Sequence, residues 1–407
     1  MMTDLPSPKF LNRTTPPHIM TLILIAGLAA LSLNVFLPSL PSMARHFGVE
    51  YHLMQLSVSL YLAMTAVLQL VVGPVSDRFG RRRVMLASIA VFIAATLGTV
   101  LAPNFSIFLI CRMLQAAIAT GFVLTRAIVR DMVAQNEAAS MIGYVTMGMS
   151  VVPMIGPVIG GMLDKIFGWQ ASFVMLGVGG LAVLALVWAD QGETATNRSA
   201  SFRDQVRQYP ELLRSQRFWG YCLAAAFASG SFFAYLGGAP FVGTNVFHMD
   251  AAALGFYFGA PAVGYMLGNF LSGRYATRFG INKMILAGVW VTTLGLGALL
   301  TLTAMGLGSA NVFFGLIISV GLGNGIMLPS ANAGLLSVRP ALAGSAAGLG
   351  GAFTIGGGAA LSVLAGLVLT PTSGTIPLIM LMLASSVLSV LCIMWVMRRA
   401  RAIGLAP

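Results

Sequence analysis

Twelve runs of roughly twenty or more mostly apolar residues follow one another along this chain. They lie at about 18–40, 53–75, 83–102, 105–128, 138–163, 169–189, 217–239, 252–273, 283–304, 311–335, 342–370 and 375–397. A helix rises about 1.5 Å per residue, so each run can cross a hydrocarbon core about 30 Å thick. Lipid offers no partner to a backbone N–H or C=O, so a crossing segment is either a helix or a strand of a closed barrel. Barrel strands are about ten residues long with alternating polarity, and these runs are longer and uniformly apolar. The expected fold is an all-α polytopic membrane protein with twelve transmembrane helices.

Composition agrees. Of 407 residues 57% are hydrophobic and 8% charged, against about 25% charged in soluble domains. The formal charge of +12 does not indicate nucleic acid, because the basic residues sit in short clusters between apolar spans and not along one soluble face. Cys111, Cys222 and Cys392 fall in separate apolar runs, and His18, His46, His52 and His248 fall at span edges or in loops. That pattern offers no disulfide framework, metal site or cofactor site. Lys9 and Arg13 precede the first run, which exceeds the roughly 7–15 residues of a signal-peptide core and has no small-residue cleavage site after it. It reads as a retained first span.

Orientation follows from the positive-inside rule. With the N-terminus in the cytoplasm, every lysine and arginine except Arg45, Lys165 and Arg112 falls on cytoplasmic segments, and both termini are cytoplasmic. The polar stretch 190–216 divides the chain into an N-terminal six-helix bundle (1–189) and a C-terminal one (217–407), with a cytoplasmic linker between them. Part of that linker, "RDQVRQYPELLRSQ", is either a short surface helix broken near Pro210 or a solvated tether. A repeat supports the division. "GPVSDRFGRRR" at 73–83 returns as "GRYATRFGINK" at 273–283, with Gly73, Arg78, Phe79 and Gly80 matched by Gly273, Arg278, Phe279 and Gly280. Two pseudosymmetric bundles facing one another suggest a path between them.

At these residues the sequence resembles the major facilitator superfamily. "GPVSDRFGRRR" matches the family's cytoplasmic loop motif through Gly73, Asp77, Arg78, Gly80, Arg81 and Arg82. "GYVTMGMSVVPMIGPVIGG" ends in Gly156, Pro157, Gly160 and Gly161 and resembles the motif of proton-coupled drug exporters. "CRMLQAAIATG" is similar to their span-four motif through Arg112 and Gln115, with Ala116 at a position where glycine is usual. "LNVFLPSLPSM", "RAIVRDMV" and "FGWQASFVML" resemble the Bcr/CflA group of drug-resistance exporters. The resemblance covers essentially the whole chain. It implies that the loop motif latches the two halves in the outward-facing state, that the span-five motif seals the cavity and sets the direction of export, and that Arg112 lies on the path of proton and substrate.

The residues have readings of their own. Four arginines in a loop follow from topology alone, but Asp77, Gly73 and Gly80 do not. Gly73 permits close helix approach and Gly80 a tight turn. Thr277 replaces Asp77 in the second copy and predicts a weaker latch. Pro157 removes a backbone bond and predicts a bend with a closely packed face. Arg112, inside a span, needs partners or a polar cavity, or else snorkels to the outer face. The resemblance implies that Asn34 stands where these exporters usually carry aspartate, and an amide takes up no proton near neutral pH. No run has an acidic residue at its middle. Proton uptake then falls to a carboxylate near a mouth (Asp164, Asp131 or Asp77) or to the substrate itself. A cavity with Arg112 and no carboxylate favours neutral or anionic cargo. Tyr61, Gln69, Phe232, Phe233, Tyr235, Asn324 and Asn332 are further candidates for the pathway, each of which could equally be packing. Residues 343–360, rich in glycine, predict a closely packed face of span eleven.

The expected function is secondary export of small amphiphilic compounds across the bacterial inner membrane by alternating access, driven by a proton gradient and performed by a monomer. A metabolite importer or facilitator of the same fold is the alternative, and Asn34 speaks for it. A membrane sensor or scaffold would need an added signalling domain. An enzyme would need clustered His, Cys or paired carboxylates at one depth, which the sequence lacks.

Overall fold

The computed structural model describes residues 8–133, 152–195, 212–338, 343–370 and 372–402, with isolated positions 141, 145 and 210. Among the described residues eleven helical segments are long and apolar enough to cross a membrane. They are Ile19–Phe47, Tyr51–Gly73, Arg81–Val100, Phe105–Val129, Gln170–Asp190, Gln216–Val246, Ala251–Ala276, Ile281–Ala304, Ala310–Ser337, Gly348–Val368 and Ile376–Arg399. The helix Val152–Phe167 stands where the fifth run was expected. The rest of that run lies outside the described residues, apart from positions 141 and 145, as do Arg198, Arg203, Arg207 and Arg339. The spans are numbered one to twelve in this order. No strand occurs among the described residues.

Span three packs on spans four and six, and span one on spans four, five and six. In the second half spans eight and nine pack on span ten, and span seven packs on spans eleven and twelve. Among the described residues the halves meet chiefly where span two lies along span eleven and where span five meets the start of span eight, and span one also touches spans seven and eight.

Prolines explain where span one breaks. Its helix runs Ile19–Asn34, yields to a 3₁₀ turn at Leu37–Ser39, and resumes as Leu40–Phe47, ending at left-handed Gly48. Pro38 has no N–H, and its ring clashes with the carbonyl four residues back, that of Asn34. Span four holds a similar 3₁₀ turn at Ala116–Ala119, just after Gln115. In span five the helix Val152–Phe167 includes Pro157, whose missing N–H leaves one carbonyl of the preceding turn without its helical partner.

The glycine-rich face of span eleven meets side chains of three neighbours: Gly350 faces Leu335, Gly351 faces Gln69 and Gly358 faces Phe233. Among the described residues the expected close approach at Gly73 is absent, since nothing there lies within 4 Å of a Cβ built on it.

Candidate functional site

Arg112 is fully buried at 0% exposure. Its guanidinium lies between the rings of Phe36, 4.2 Å away, and Tyr61, 4.1 Å away. One Nη donates to Gln115 Oε1 at 2.7 Å and the other to the Ser32 carbonyl at 2.8 Å. Gln115 in turn donates to Thr96 Oγ1 at 2.8 Å. Each aromatic face offsets about 0.5–2 kcal/mol of the desolvation of the charge. Nε has no partner among the described residues.

Of the alternatives that the sequence left open for Arg112, the one with partners fits. Arg112 does not snorkel, and it does not stand at a water-lined surface, because both ring faces and Ser32 exclude water from it. It ties spans one, two, three and four into one unit. Ser32, Phe36 and Thr96 were missed in the sequence. Hydroxyls inside apolar runs are common, and nothing local distinguishes these.

Asn34 is also buried. Its Nδ2 donates to the Ala30 carbonyl at 2.7 Å, one turn earlier in its own helix. It borders the span-five motif, for a side chain at Gly156 would reach Leu31, Asn34 and the Val35 N–H. The next glycines of the motif are more tightly constrained. A Cβ at Gly160 would overlap the Val35 carbonyl, and one at Gly161 would overlap the Ala251 carbonyl of span eight. Gly255 of span eight returns onto the carbonyl of Pro157. Backbones of the two halves therefore touch at the end opposite the termini, here called the distal end.

Polar contacts complete this seal. Tyr51 Oη donates to the Gly237 carbonyl at 2.7 Å. Gln55 Nε2 bonds to the Ser362 carbonyl and to its hydroxyl at 2.9 Å. Lys165 Nζ pairs with Asp250 Oδ2 at 2.8 Å, and Asp250 Oδ1 accepts from the Ala253 N–H at 2.7 Å, capping span eight. Beside the pair lies an open cavity of about 460 Å³ whose lining includes Ser42, Arg45, Asp164, Thr244 and His248. Asp164 accepts from Ser42 Oγ at 2.9 Å.

Asp250 lies outside the spans. Its hydrogen bond from Lys165 and that from Ala253 hold its carboxyl below the usual aspartate value. A depressed carboxyl contributes while ionised and is lost only as pH falls through its lowered value. Distal accessibility, measured by labelling Thr244→Cys, is expected to be constant from pH 8 to pH 5. A rise within that range would mean that another group governs the seal.

At the opposite end the loop motif forms a charge network. Arg81 Nη2 meets Asp77 Oδ1 at 2.5 Å, its Nε meets Asp131 Oδ2 at 3.1 Å, and its other Nη bonds to Ser76 Oγ. These groups all belong to the first half. Arg82 donates to the Trp188 carbonyl at 2.8 Å. Gly80 turns the chain with φ 95°, and Gly280 does the same with φ 82°. Arg78 lies over the ring of Phe79, and Arg278 over that of Phe279. The sequence repeat is thus a repeat of geometry. The side chain of Thr277 lies outside the described residues.

A family model described as Major Facilitator Superfamily matches residues 22–363. The chain belongs to the Major Facilitator Superfamily. It is 27% identical over 387 residues to the bicyclomycin resistance protein homolog of Haemophilus influenzae, across 93% of this chain and 96% of that one. It is 26% identical over 390 residues to multidrug resistance protein D of Escherichia coli, across 92% and 94% of the two chains. It is 33% identical over 269 residues to a chloramphenicol resistance protein of Pseudomonas aeruginosa, across 64% and 62%. These relatives agree with the drug-exporter resemblance carried by the motifs. Among solved structures, a bacterial homolog of the human lysosomal transporter Spinster, inward-facing and occupied, superposes with a TM-score of 0.71 at 16% identity, over 94% of this chain and 96% of that one. That likeness concerns the fold.

Within this superfamily fold the remaining candidates separate. Tyr235 is fully buried, stacks on Phe258 at 4.9 Å and donates to the Phe258 carbonyl at 3.0 Å. Phe232, half-buried, lies beside it at 6.4 Å. Asn324 is buried and Asn332 exposed, so the two asparagines of span ten do not share an environment. Arg126, assigned by sequence to a cytoplasmic segment, falls within span four. Among the described residues no group of three or more His, Cys, Asp or Glu is placed to hold a metal ion.

Proposed function

We propose that this chain is a secondary transporter that exports small amphiphilic compounds across the bacterial inner membrane by alternating access, in exchange for protons. The distal seal carries the reading. Glycine-lined backbone contact and a few polar bonds hold the halves together there, and such a seam can part without unfolding either half. Packing within 1–189 and within 217–407 supports treating them as two bundles joined by the linker 190–216. The lysine and arginine bias supports cytoplasmic termini, so the distal end faces outside. The relatives named for antibiotic resistance support drug-like cargo, and spans without a central carboxylate support neutral or anionic cargo. The unit of transport is the monomer.

For the proton, Asp77 and Asp131 are both engaged by Arg81, whereas Asp164 faces a cavity with a serine hydroxyl as its partner. Asp164 is therefore the carboxylate we assign to coupling. The second reading is a facilitator without proton coupling, and Asn34 favours it, because its amide is bonded to its own helix and does not titrate.

Purified protein in liposomes under an imposed pH gradient decides between them. A neutral phenicol drug is expected to accumulate only while the gradient lasts, and a permanently cationic dye is not expected to accumulate. Asp164→Asn is expected to reduce drug movement to passive equilibration. Equilibration by the parent chain regardless of the gradient would establish the facilitator and remove the exporter.

A further inference from the structure

The first four N–H groups of a helix lack partners within it. Span three begins at Arg81, and Gly80, the residue before it, offers no side chain to cap it. The missing acceptor comes from 112 positions away, where Glu193 Oε1 takes the Arg81 N–H at 2.7 Å. The fit is close, since a Cβ at Gly80 would overlap the Glu193 carboxylate. Thr194 Oγ1 reaches Asp131 Oδ2 at 3.3 Å, the same oxygen that meets Arg81.

Three residues before Glu193, Asp190 is fully buried. Its carboxylate accepts from the Leu11 N–H at 2.6 Å, the His18 N–H at 2.8 Å and Thr21 Oγ1 at 2.6 Å. The Gly192 N–H donates to the Thr15 carbonyl at 3.0 Å. The start of the linker is therefore bonded to the entry of span one, the start of span three and the end of span four. The second copy of the turn differs: span nine also starts without a side-chain cap, and among the described residues nothing lies within 4 Å of a Cβ built at Gly280.

We propose that Asp190–Thr194 is a clamp on the loop motif and that Glu193 is a positioning residue, which holds Arg81 in its first-half network while the distal end is sealed. The proposal rests on the alternating-access reading. The clamp fixes the start of span three, where Arg81 holds Asp77 and Asp131. A carboxylate at a helix N-terminus is also favoured by the helix dipole. Removing it weakens the arrangement that accompanies the sealed distal end.

The test uses two spin-label pairs in a transporting, cysteine-free background of the full chain. Glu50→Cys with His248→Cys reports the distal end, and Ala87→Cys with Ala287→Cys reports the end that carries the termini. In Glu193→Ala the ratio of distal-open to distal-sealed populations is expected to rise about fivefold. The distal pair gains a longer distance while the other pair gains a shorter one. Glu193→Gln keeps an acceptor oxygen and is expected to fall between alanine and the parent. Unchanged populations in Glu193→Ala would overturn the clamp, and so would equal broadening of both pairs, which marks mere local loosening. A parent chain that shows a single distance at each end, with and without a neutral phenicol drug, would instead overturn the alternating-access reading.

Discussion

Gly161→Ala is expected to block export while leaving the protein folded. The added methyl would overlap the Ala251 carbonyl, and the other nearest atoms also belong to Ala251 and Ala252 of the second half. The substitution therefore finds its obstacle only when the distal seam closes. Overpacking of this kind costs about 1–3 kcal/mol, which moves a two-state ratio about 5- to 150-fold. The transporter is expected to rest with the distal end open, with transport reduced by a similar factor and thermal unfolding in detergent little changed. Gly160→Ala supplies the contrast. Its nearest atoms are all of Val35 in the same half, so it is expected to lower the unfolding temperature instead. Normal transport by Gly161→Ala would show that the span-five glycines serve packing and not the gate.

Replacement of Arg112 has the other large expected effect. Alanine would strand Gln115 Oε1 and the Ser32 carbonyl, each at a cost of about 1–3 kcal/mol, and would leave the Phe36 and Tyr61 rings facing an empty slot. A marked fall in unfolding temperature is expected together with loss of transport. Lysine keeps the charge but supplies neither the planar fork nor a plate to fit between two rings, so Arg112→Lys is expected to restore little of either. The measurement is thermal unfolding of both variants beside liposome transport. Full stability with lost transport in Arg112→Lys would show that the guanidinium acts directly in transport, not as the tie among spans one to four.

Much of this was legible in the chain itself. Lipid cannot satisfy backbone polar groups, so long apolar runs had to be helices, and eleven of the twelve runs are spanning helices among the described residues. The repeat of Gly80 as Gly280 was legible because a turn of positive φ restricts residue choice locally. The exporter resemblance was legible because the loop and span-five motifs are contiguous stretches.

What the tertiary structure decided are the contacts between segments far apart in sequence. Arg112 read as a cavity cation because its only visible context was one apolar helix. Phe36, Tyr61 and Ser32, which bury it, come from other spans. Gly73 and Gly161 look alike in sequence, yet one faces open space and the other a carbonyl of the opposite half. Lys165 with Asp250, Gln55 with Ser362 and Glu193 with Arg81 leave no local pattern. Helix periodicity and lipid solvation act residue by residue along the chain and so are written in sequence. Pairing across a fold depends on which helices become neighbours, and that is settled only when the whole bundle packs.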